Sequence, residues 1–537
     1  MRSAMRKFSS YGQINTNQHY YAPRTALIER AYAQLRGEHP DEGGHYITVW
    51  APRQTGKSSM MLETVKRLRQ HEEFEVVIIT AQSAKNVHTD EGALGVFVDE
   101  LHRWVKRELP QITEWKNLPD VFTREYFPKP LILIIDEFDA FDETYINHFA
   151  NEFRKIYTDR LNESDTPTAD KQYMLHSLAL IGVRSVLGIE NAVGSPFNVQ
   201  RSLHIPNLTY DEVAGLFKWY ERESGQAVET DVIKRLYAET SGHPGLTCWF
   251  GELLTEGFED YHVDTTRSIT MNGFERVYAA ATYALPNNTI LNIISKAKQE
   301  PHKQFVLNLF QTEGKIDFTY DTPEINFLYQ NGVIDREIVE GTRYYIKFSC
   351  AFVQKRLFNY FSTELFQYMG KLHDPFVDLE EAVTETTLCI PGILRYYQRY
   401  LQANKDWLFK NAPRRADLRI YEAVYHFNLY MYLHKFLQPR KAKVWPEFPT
   451  GNGKIDLLVE YQGQLHGLEV KSFTNIAAYN EALRQAAWYG KQLQLTAITL
   501  ILFIDTIDEE YRTKYEAVYH DSATHVTVQP VFVATDG

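Results

Sequence analysis

The chain has 537 residues, enough for about three to five domains, and its 44% hydrophobic and 23% charged residues exclude both a small single module and a disordered chain. Its 57 basic and 69 acidic residues give a net charge of −12, which argues against a surface coated in positive charge for non-specific nucleic-acid binding. Residues 401–537 hold 15 basic and 15 acidic residues, so the acidic surplus lies before them. Three widely spaced cysteines and the lack of an apolar run of about 18 residues predict a cytoplasmic protein without disulfides, export signal or membrane span.

The first elements in chain order lead to a loop that contains glycine and lysine. Residues 1–19 are polar and predict an arm or a loosely held strand, and the pattern from Ala26 to Leu35 is helical. The β-branched and aromatic run Tyr46–Trp50 predicts a buried strand. The loop 51–59, APRQTGKSS, follows directly, and a helical pattern runs from Met60 to Leu68. A strand, a loop and a helix in this order surround a phosphate chain with backbone N–H groups and a helix N-terminus.

This loop carries the side chains that a nucleotide phosphate site needs. Lys57 is predicted to neutralise the β and γ phosphates of ATP, and the Ser58 hydroxyl to ligate Mg²⁺. Ala51 stands where the pattern G-x-x-x-x-G-K-[ST] has its first glycine, a departure that reduces backbone freedom there. The predicted ATP-binding residues of the loop are Arg53, Gln54, Thr55, Gly56, Lys57, Ser58 and Ser59.

Further apolar runs at 76–80, 131–135 and 178–183 alternate with helical stretches, a pattern typical of βαβ units around a parallel sheet. The second run ends in Asp136 and Glu137, at the carboxyl end of a central strand, where α/β folds bind ligands. We predict that Asp136 helps to hold Mg²⁺ and that Glu137 polarises the water that attacks ATP. A Gly-Lys-Ser sequence after a strand also arises by chance, and the acidic pair downstream argues against that alternative.

These motifs resemble the AAA-like and STAND ATPases of bacteria and archaea over about residues 15–360. The similarity includes Tyr20–Arg24, a segment that helps to cover adenine in such proteins, and residues 195–198 before a helical lid. The resemblance implies that Arg184 occupies the position of a γ-phosphate sensor and that His243, in a Gly-His-Pro turn, touches the nucleotide. The alternatives are a salt-bridging surface arginine and an ordinary turn residue, and no arginine finger is assigned.

The sequence divides into five predicted domains or connectors. Residues 1–208 form the ATPase core, and the mainly helical residues 209–285 form a lid. Helices followed by a hairpin-like pair of strands predict a winged helix over 286–361, and an acidic helical connector covers 362–405. The last predicted domain, 406–537, contains in order a helix (420–437), two strands (454–461 and 465–471), a helix (478–493) and a strand (496–504).

The two strands at 454–461 and 465–471 read as a hairpin with charged residues among apolar ones. Side chains alternate along a strand, so Glu469 and Lys471 project from one face, and Asp456 can reach that face from the facing strand. Such charges on buried strands are costly unless they pair with each other or bind a cation. Two acids can hold Mg²⁺ or Mn²⁺ at a scissile phosphate while a lysine supports the attacking water, so the predicted chemistry is phosphodiester hydrolysis.

Three further residues extend this candidate site. Gln485 and Tyr489 lie at i and i+4 on one helix face, and Glu422 on the helix before the hairpin adds a third carboxylate. The predicted metal ligands are Ser58 and Asp136 at the ATP site and Glu422, Asp456 and Glu469 at the second site.

Residues of about 406–510 resemble the PD-(D/E)XK nuclease superfamily through Asp456 and Glu469-Val470-Lys471, and the Gln485-x-x-x-Tyr489 spacing is similar to the QxxxY motif of its RecB-like branch. Lys454-Ile455 stands where the superfamily has a proline before the aspartate. The resemblance implies a nuclease fold in which Glu422 is the acid of the first helix. The alternatives are a strand hairpin with ordinary salt bridges and an inherited nuclease fold without activity. The implied catalytic residues are Asp456, Glu469, Lys471, Gln485 and Tyr489, besides Glu137 at the ATP site.

The predicted fold class is therefore α/β: a P-loop NTPase parallel sheet, a helical lid and a winged helix, then a separate α/β restriction-endonuclease-like domain. The leading hypothesis is an ATP-binding and ATP-hydrolysing switch that controls a metal-dependent nuclease, with DNA favoured over RNA, Mg²⁺ as metal and Mn²⁺ as the alternative at the nuclease site. The second hypothesis is a signalling or scaffold ATPase whose last domain binds nucleic acid or a partner without cleaving. The sequence leaves open whether the chain associates with itself. A role in prokaryotic defence or in mobile elements rests on analogy alone.

Overall fold

The computed structural model describes residues 5–38, 43–167, 170–182, 200–257, 264, 266–311, 315–373, 379, 382–414, 420, 422–449 and 454–536. The chain forms two compact units, each made of two separate stretches of sequence. Unit 1 comprises residues 1–296 and 317–350, and unit 2 comprises residues 297–316 and 351–537.

Unit 1 contains a parallel sheet with helices on both faces, followed by a helical region and a small hairpin. The sheet has the order β2-β3-β4-β1-β5, and all of its neighbouring strands are parallel. Its strands are β1 (Tyr46–Trp50), β2 (Glu75–Thr80), β3 (Leu131–Asp136), β4 (Leu175–Gly182) and β5 (Gln200–His204), and the hairpin is β6 (Ile334–Val339) and β7 (Arg343–Phe348). The helices are α1 (Thr25–Arg36), α2 (Lys57–Leu68), α3 (Asp90–Val105), α4 (Glu143–Asn162), α5 (Tyr210–Ser224), α6 (Thr230–Thr240), α7 (Pro244–Thr255), α8 (Met271–Tyr283), α9 (Asn288–Ala297) and α11 (Pro323–Gln330).

The apolar run of β3 explains why the sheet is covered on both sides. Leu133 and Ile135 belong to one buried core, whereas Ile132 and Ile134 belong to a second core with α1 and α2 residues. Because successive side chains of a strand point to opposite faces, a continuous run of large aliphatic residues needs helices on both faces. The predicted parallel sheet is confirmed, and it brings the loop after β1 and the end of β3 to the same edge, with β4 between them.

Strand β5 was not among the predicted elements of the ATPase core, whose last predicted apolar run is 178–183. Residues 200–204 pair in parallel with β1 at the end of the sheet. The strand is only five residues long, and Arg201 and Ser202 are exposed. A short polar edge strand has one paired side and little apolar signal, so periodicity alone does not reveal it.

The region expected to form a winged helix is divided between the two units. Residues of α11, β6 and β7 belong to unit 1, whereas α10 (His302–Gln311) and α12 (Ala351–Phe366) belong to unit 2. The reason lies in aromatic packing, because Phe310 and Phe358 both pack edge-on against Phe427 of unit 2, with ring centroids 5.6 and 4.8 Å apart.

Unit 2 contains a mixed sheet of order β12-β13-β11-β10-β9-β8, in which β11 is parallel to both of its neighbours, β10 and β13, and the remaining pairs are antiparallel. Strands β8 and β13 were not among the predicted elements. The strands are β8 (Lys443–Pro449), β9 (Lys454–Tyr461), β10 (Gln464–Ser472), β11 (Ala497–Ile504), β12 (Tyr519–His520) and β13 (Thr527–Ala534), and the further helices are α13 (Ile390–Leu408), α14 (Glu422–Leu437), α15 (Ile476–Gln492) and α16 (Glu509–Tyr515).

Candidate functional site

The loop between β1 and α2 has the backbone shape of a phosphate cradle. Gln54 and Gly56 have positive φ angles of 57° and 86°, and α2 begins at Lys57. A Cβ atom on Gly56 would meet nothing within 4 Å, so this glycine is required by its left-handed conformation rather than by space. The unpaired N–H groups of the first turn of α2 point out of the helix at this end, which makes it a favourable place for an anion.

Lys57, at the junction of this loop and α2, is influenced electrostatically by nearby carboxylates. Its Nζ donates hydrogen bonds to the carbonyl oxygens of Ala51 and Pro52, both at 2.8 Å. Burial lowers the pKa of Lys57 to about 8, and Asp139 and Asp136 raise it again in part. A cation held by carbonyl oxygens at the base of the loop is well suited to move onto a phosphate, since it is already partly stripped of water.

Three acids meet at the carboxyl end of β3. Asp136 Oδ1 accepts a hydrogen bond of 2.9 Å from the backbone N–H of Glu137, and Glu137 itself is exposed with φ at 53°. Asp139, in the turn after β3, lies against the end of β4, because a Cβ on Gly182 would be 3.0 Å from its Oδ1. These acids share a pocket with the loop, and its lining includes Arg53, Gln54, Lys57, Ser58, Lys85, Asp136, Glu137 and Asp139.

Sequence reasoning missed Asp139 and Lys85 in this pocket. Asp139 was visible in the spacing Asp136-Glu137-Phe138-Asp139, since a second acid soon after the strand end stays close to it. Lys85 follows β2, and its side chain is exposed on the rim. Arg184, the expected sensor, lies outside the described residues, as do residues 195–198.

A second pocket is lined in part by the same loop and in part by the N-terminal arm, residues 5–24. The lining also includes Gln54–Gly56, Met60 and the start of α7, and the arm contributes Ser9, Ser10, Gly12, Ile14, Thr16, Tyr20, Tyr21, Ala22 and Arg24. Its mainly apolar character suits a base and ribose next to a phosphate cradle. The segment Tyr20–Arg24 was expected from the resemblance, whereas the part before it was not.

The arm is held to the lid helices α5 and α7 by packing and by charge. The Phe8 ring lies 5.0 Å from that of Phe217 and 5.1 Å from that of Tyr20. Ser10 donates hydrogen bonds to Glu252 from its N–H and its hydroxyl, at 2.5 and 2.8 Å. The arm that lines this pocket is therefore held in place by the lid helices α5 and α7.

Lid helix α7 and helix α9, which follows the lid, both contact the phosphate loop at Gln54. The N–H of Gly245, at the start of α7, donates to Gln54 O at 3.0 Å, and Thr289 of α9 hydrogen-bonds the Gln54 side chain. His243 is buried, caps α7 by accepting from Leu246 N at 3.3 Å, and its ring also hydrogen-bonds the Arg53 backbone. Burial lowers the pKa of His243 to about 4, so it is a neutral imidazole at pH 7. A direct contact of His243 with nucleotide stays a prediction.

In unit 2, two of the predicted acids are tied to the backbone of β10. Glu422 Oε2, at the start of α14, accepts from Ser472 N at 2.6 Å, and Asp456 Oδ2 accepts from Val470 N at 2.7 Å. Burial raises the pKa of Glu422 to about 7, and Lys471 lowers it again in part. These bonds join α14, β9 and β10 at one point, where β9 and β10 cease to pair directly.

The other predicted residues lie beside this junction. Lys471 Nζ is 2.9 Å from Glu469 Oε1, and the two side chains are 10% and 2% exposed. Gln485 Nε2 donates to the Tyr489 hydroxyl at 3.1 Å. Burial raises the pKa of Tyr489, and the nearby charges of Glu469 and Asp456 raise it further, while Lys471 lowers it. The six side chains thus occupy one neighbourhood, and within the described residues no donor reaches the buried Gln485 Oε1.

The acids of this cluster do not form a ready-made metal centre. In the part of the chain that the structure describes, no group of three or more His, Cys, Asp or Glu side chains is arranged to hold a metal ion. The physical reason is visible, since Glu422 and Asp456 each turn one oxygen to a backbone N–H and Glu469 turns one to Lys471. The roles predicted for Glu422, Asp456 and Glu469 as metal ligands stay predictions.

The chain is similar to known proteins in its first half. The profile of the AAA-like domain family matches residues 9–255. Among solved structures, the chain is similar to a Walker-type ATPase of Pyrococcus abyssi, with 14% identity, TM-score 0.42, and coverage of 65% of this chain and 99% of that one. It is also similar to the ORC2 protein of Aeropyrum pernix in its ADPNP–ADP complexes, with 12% identity, TM-score 0.39, and coverage of 66% and 96%.

A third similar structure is the RuvB branch migration motor of Thermotoga maritima, with 12% identity, TM-score 0.31, and coverage of 59% of this chain and 91% of that one. No curated protein sequence matches the chain. In the described ranges, every helix falls short of the length or apolar character that a bilayer span requires. The match of residues 9–255 to the AAA-like domain agrees with the parallel sheet and the phosphate loop, and together they support an ATPase of the P-loop type.

Proposed function

We propose that the protein is an ATP-driven switch that controls a metal-dependent nuclease in unit 2. The observation that carries the first half is the shared pocket, in which Lys57 and Ser58 of the loop face Asp136, Glu137 and Asp139 at the end of β3. A cation, a hydroxyl and acids around one phosphate-sized space are the groups that phosphoryl transfer to water uses.

In this proposal Lys57 binds the phosphate chain, and the Ser58 hydroxyl and Asp136 hold Mg²⁺. When bound, Mg²⁺ supplies positive charge against the phosphate oxygens. Glu137, exposed at the pocket, orients and polarises the attacking water. Asp139 keeps Lys57 protonated, because it is the carboxylate with the largest effect on the pKa of that lysine.

The switch follows from contacts within unit 1. Gln54 of the phosphate loop bonds to Gly245 of α7 and to Thr289 of α9, and the arm that covers the second pocket packs on α5 and α7. A nucleotide that changes the loop therefore changes contacts with the lid and the arm at the same time. Nucleotide state would be read out through these elements.

The nuclease half of the proposal rests on the cluster of Glu422, Asp456, Glu469 and Lys471. A buried lysine and three acids are expensive to maintain for packing alone. With Mg²⁺ or Mn²⁺ bound by these acids, Lys471 would stabilise the charge that develops at the scissile phosphate, and DNA is the favoured substrate. The orphan Gln485 Oε1 is a free acceptor for a water or a ligand at this place. A cytoplasmic role in prokaryotic defence or mobile elements is part of this proposal through the resemblance alone.

The first experiment tests the ATPase. Lys57→Ala is expected to abolish ATP binding and hydrolysis, measured with a fluorescent nucleotide and by phosphate release. Lys66→Ala is the matched control, because Lys66 lies on the same helix but pairs with Glu63 at the surface. Equal activity of Lys57→Ala and the control would overturn the assignment of the phosphate site.

The second experiment tests the nuclease. The full-length protein is incubated with linear DNA, circular DNA and single-stranded RNA, with Mg²⁺ or Mn²⁺, with and without ATP. Asp456→Asn is expected to abolish cleavage, and it can still accept the hydrogen bond from Val470 N. Glu460→Gln, on the same strand and paired with Lys443, is the control. Cleavage that survives Asp456→Asn contradicts the site.

One observation favours the second candidate function, a signalling or scaffold ATPase that binds nucleic acid or a partner without cleaving. The acids are engaged with backbone N–H groups and with Lys471 instead of converging on one point. ATP hydrolysis that depends on Lys57, together with no cleavage of any of these nucleic acids, would move the conclusion to this candidate.

A further inference from the structure

Helix α15 of unit 2 exposes a large aromatic ring beside positive charges. Trp488 is 48% exposed, and Lys491, one turn further on, has its Nζ 5.6 Å from the centroid of that ring. Arg484, one turn before, is also exposed. We call Arg484, Trp488 and Lys491 the α15 stripe. Glu481 is the exposed acid next to it toward the start of the helix.

The α15 stripe lies next to the candidate nuclease site. Each residue advances about 100° around a helix, so Trp488 is about 60° from Gln485 and about 100° from Tyr489. Gln485 and Tyr489 face inward, since both are half-buried and the pKa of Tyr489 responds to Glu469, Lys471 and Asp456. Residues three apart on a helix have Cβ atoms about 5–6 Å apart, so Trp488 stands at the rim of the same site.

The chemistry of the stripe fits an unpaired nucleobase with its phosphates. An aromatic face stacks on the face of a base regardless of sequence, and flanking cations contact the backbone. In a duplex the base faces are covered by their neighbours, so an exposed ring selects a single strand or a frayed end. An apolar protein partner would not need a cation on either side of the ring.

We propose that the α15 stripe is a docking surface for single-stranded nucleic acid, on which Trp488 stacks one base while Arg484 and Lys491 contact phosphates next to the scissile position. This inference rests on the proposed nuclease function and narrows its substrate class to single strands or single-stranded ends.

The test measures binding and cleavage separately in the full-length protein. Binding of a fluorescent single-stranded DNA oligonucleotide, and of its duplex, is followed by anisotropy in the Asp456→Asn background, so that cleavage does not interfere. Trp488→Ala is expected to weaken binding of the single strand by about tenfold, the lower part of the range for base stacking, with a smaller effect on the duplex. Arg484→Gln and Lys491→Gln are expected to lower the slope of log K against log salt by about 0.7 each.

The matched controls come from α16 of the same unit. Tyr511 is 54% exposed, and Lys514 has its Nζ 5.2 Å from the ring centroid of Tyr515, so α16 offers a similar aromatic and basic surface. Tyr511→Ala and Lys514→Gln are expected to leave binding unchanged. A loss as large as that of Trp488→Ala would show a general surface effect and overturn the inference.

The remaining outcomes separate the inference from the proposed function. If Trp488→Ala cleaves and binds the single strand as well as the wild type does, the proposed role of the α15 stripe is overturned, while the proposed nuclease function is unaffected. Single-strand binding that needs Trp488, without any cleavage by the wild-type protein, supports the stripe and overturns the nuclease. No binding of the single strand, or an equal loss for single strand and duplex, overturns the stripe as a single-strand site.

Discussion

The N-terminal arm packs against the lid at Gly251 of α7, where there is no space for a side chain. A Cβ atom at this position would lie 2.4, 2.5 and 2.9 Å from three atoms of the Phe8 ring. The ring is 2% exposed and cannot swing aside freely, because Tyr20 and Phe217 lie about it at 5.1 and 5.0 Å. Gly251→Ala therefore forces the arm and the helix apart.

The expected cost is that of overpacking, about 1–3 kcal/mol, which corresponds to about a 5- to 150-fold increase in the open population of the arm. Phe8→Ala should cost about 3–5 kcal/mol by itself. In the Phe8→Ala background the obstacle is gone, and Gly251→Ala should be neutral or stabilising by up to about 1 kcal/mol, because alanine is the better helix former. The two changes are thus strongly non-additive.

Hydrogen exchange of the Tyr20 amide measures arm opening, since Tyr20 N donates to Lys7 O at 2.9 Å and holds the arm's loop closed. Exchange is compared in the wild type, both single variants and the double variant. Gly251→Ala should accelerate it in the presence of Phe8 and not in its absence. The same acceleration in both backgrounds would refute the steric argument, since it would then come from α7 alone.

Three further predictions concern unit 1. Burial lowers the pKa of His176 to about 4, whereas its unfolded pKa is about 6.5. The neutral ring therefore contributes stability above the unfolded pKa, and about 3 kcal/mol of the free energy of unfolding is lost as pH falls to 4. His176→Gln should reduce this loss of stability at acid pH, measured by calorimetry of the full chain. Gly245→Ala should weaken ATP affinity by about tenfold, measured by nucleotide titration, because its Cβ would lie 2.6 Å from Gln54 Cβ. Asp139→Asn should lower the pKa of Lys57 further below its value of about 8, so the loss of ATP affinity at alkaline pH should begin at a lower pH, and an unchanged profile would contradict that coupling.

The predictable parts of the fold are segments in which the local sequence pattern alone indicates the secondary structure. Leu131–Ile135 is apolar at every position, and only a strand covered on both faces buries all of it. The alternation that put Glu469 and Lys471 on one face also agrees with their separation of 2.9 Å. In such segments, the sequence pattern and the tertiary packing favour the same conformation.

The parts that were missed depend on neighbours remote in sequence. The arm is a mainly polar segment in which Phe8 lies between Lys7 and Ser9, and it is positioned through contacts with α5 and α7. Strand β8 contains Pro446 and Pro449, which argue against a strand, and they are tolerated because β8 lies at the edge of the sheet. Likewise, nothing local to residue 302 indicates that α10 belongs with α12 and α14 instead of with its neighbours in sequence.

The interleaved order of the two units constrains how the protein can be cut, and how it can have arisen. The chain leaves unit 1 after residue 296, returns at 317, and leaves again after 350. Any single cleavage or stop codon between 297 and 350 removes a piece from at least one unit, and a truncation after 296 deprives unit 1 of β6 and β7. A single junction therefore cannot separate the two units cleanly, because residues 297–316 of unit 2 lie between the two stretches of unit 1.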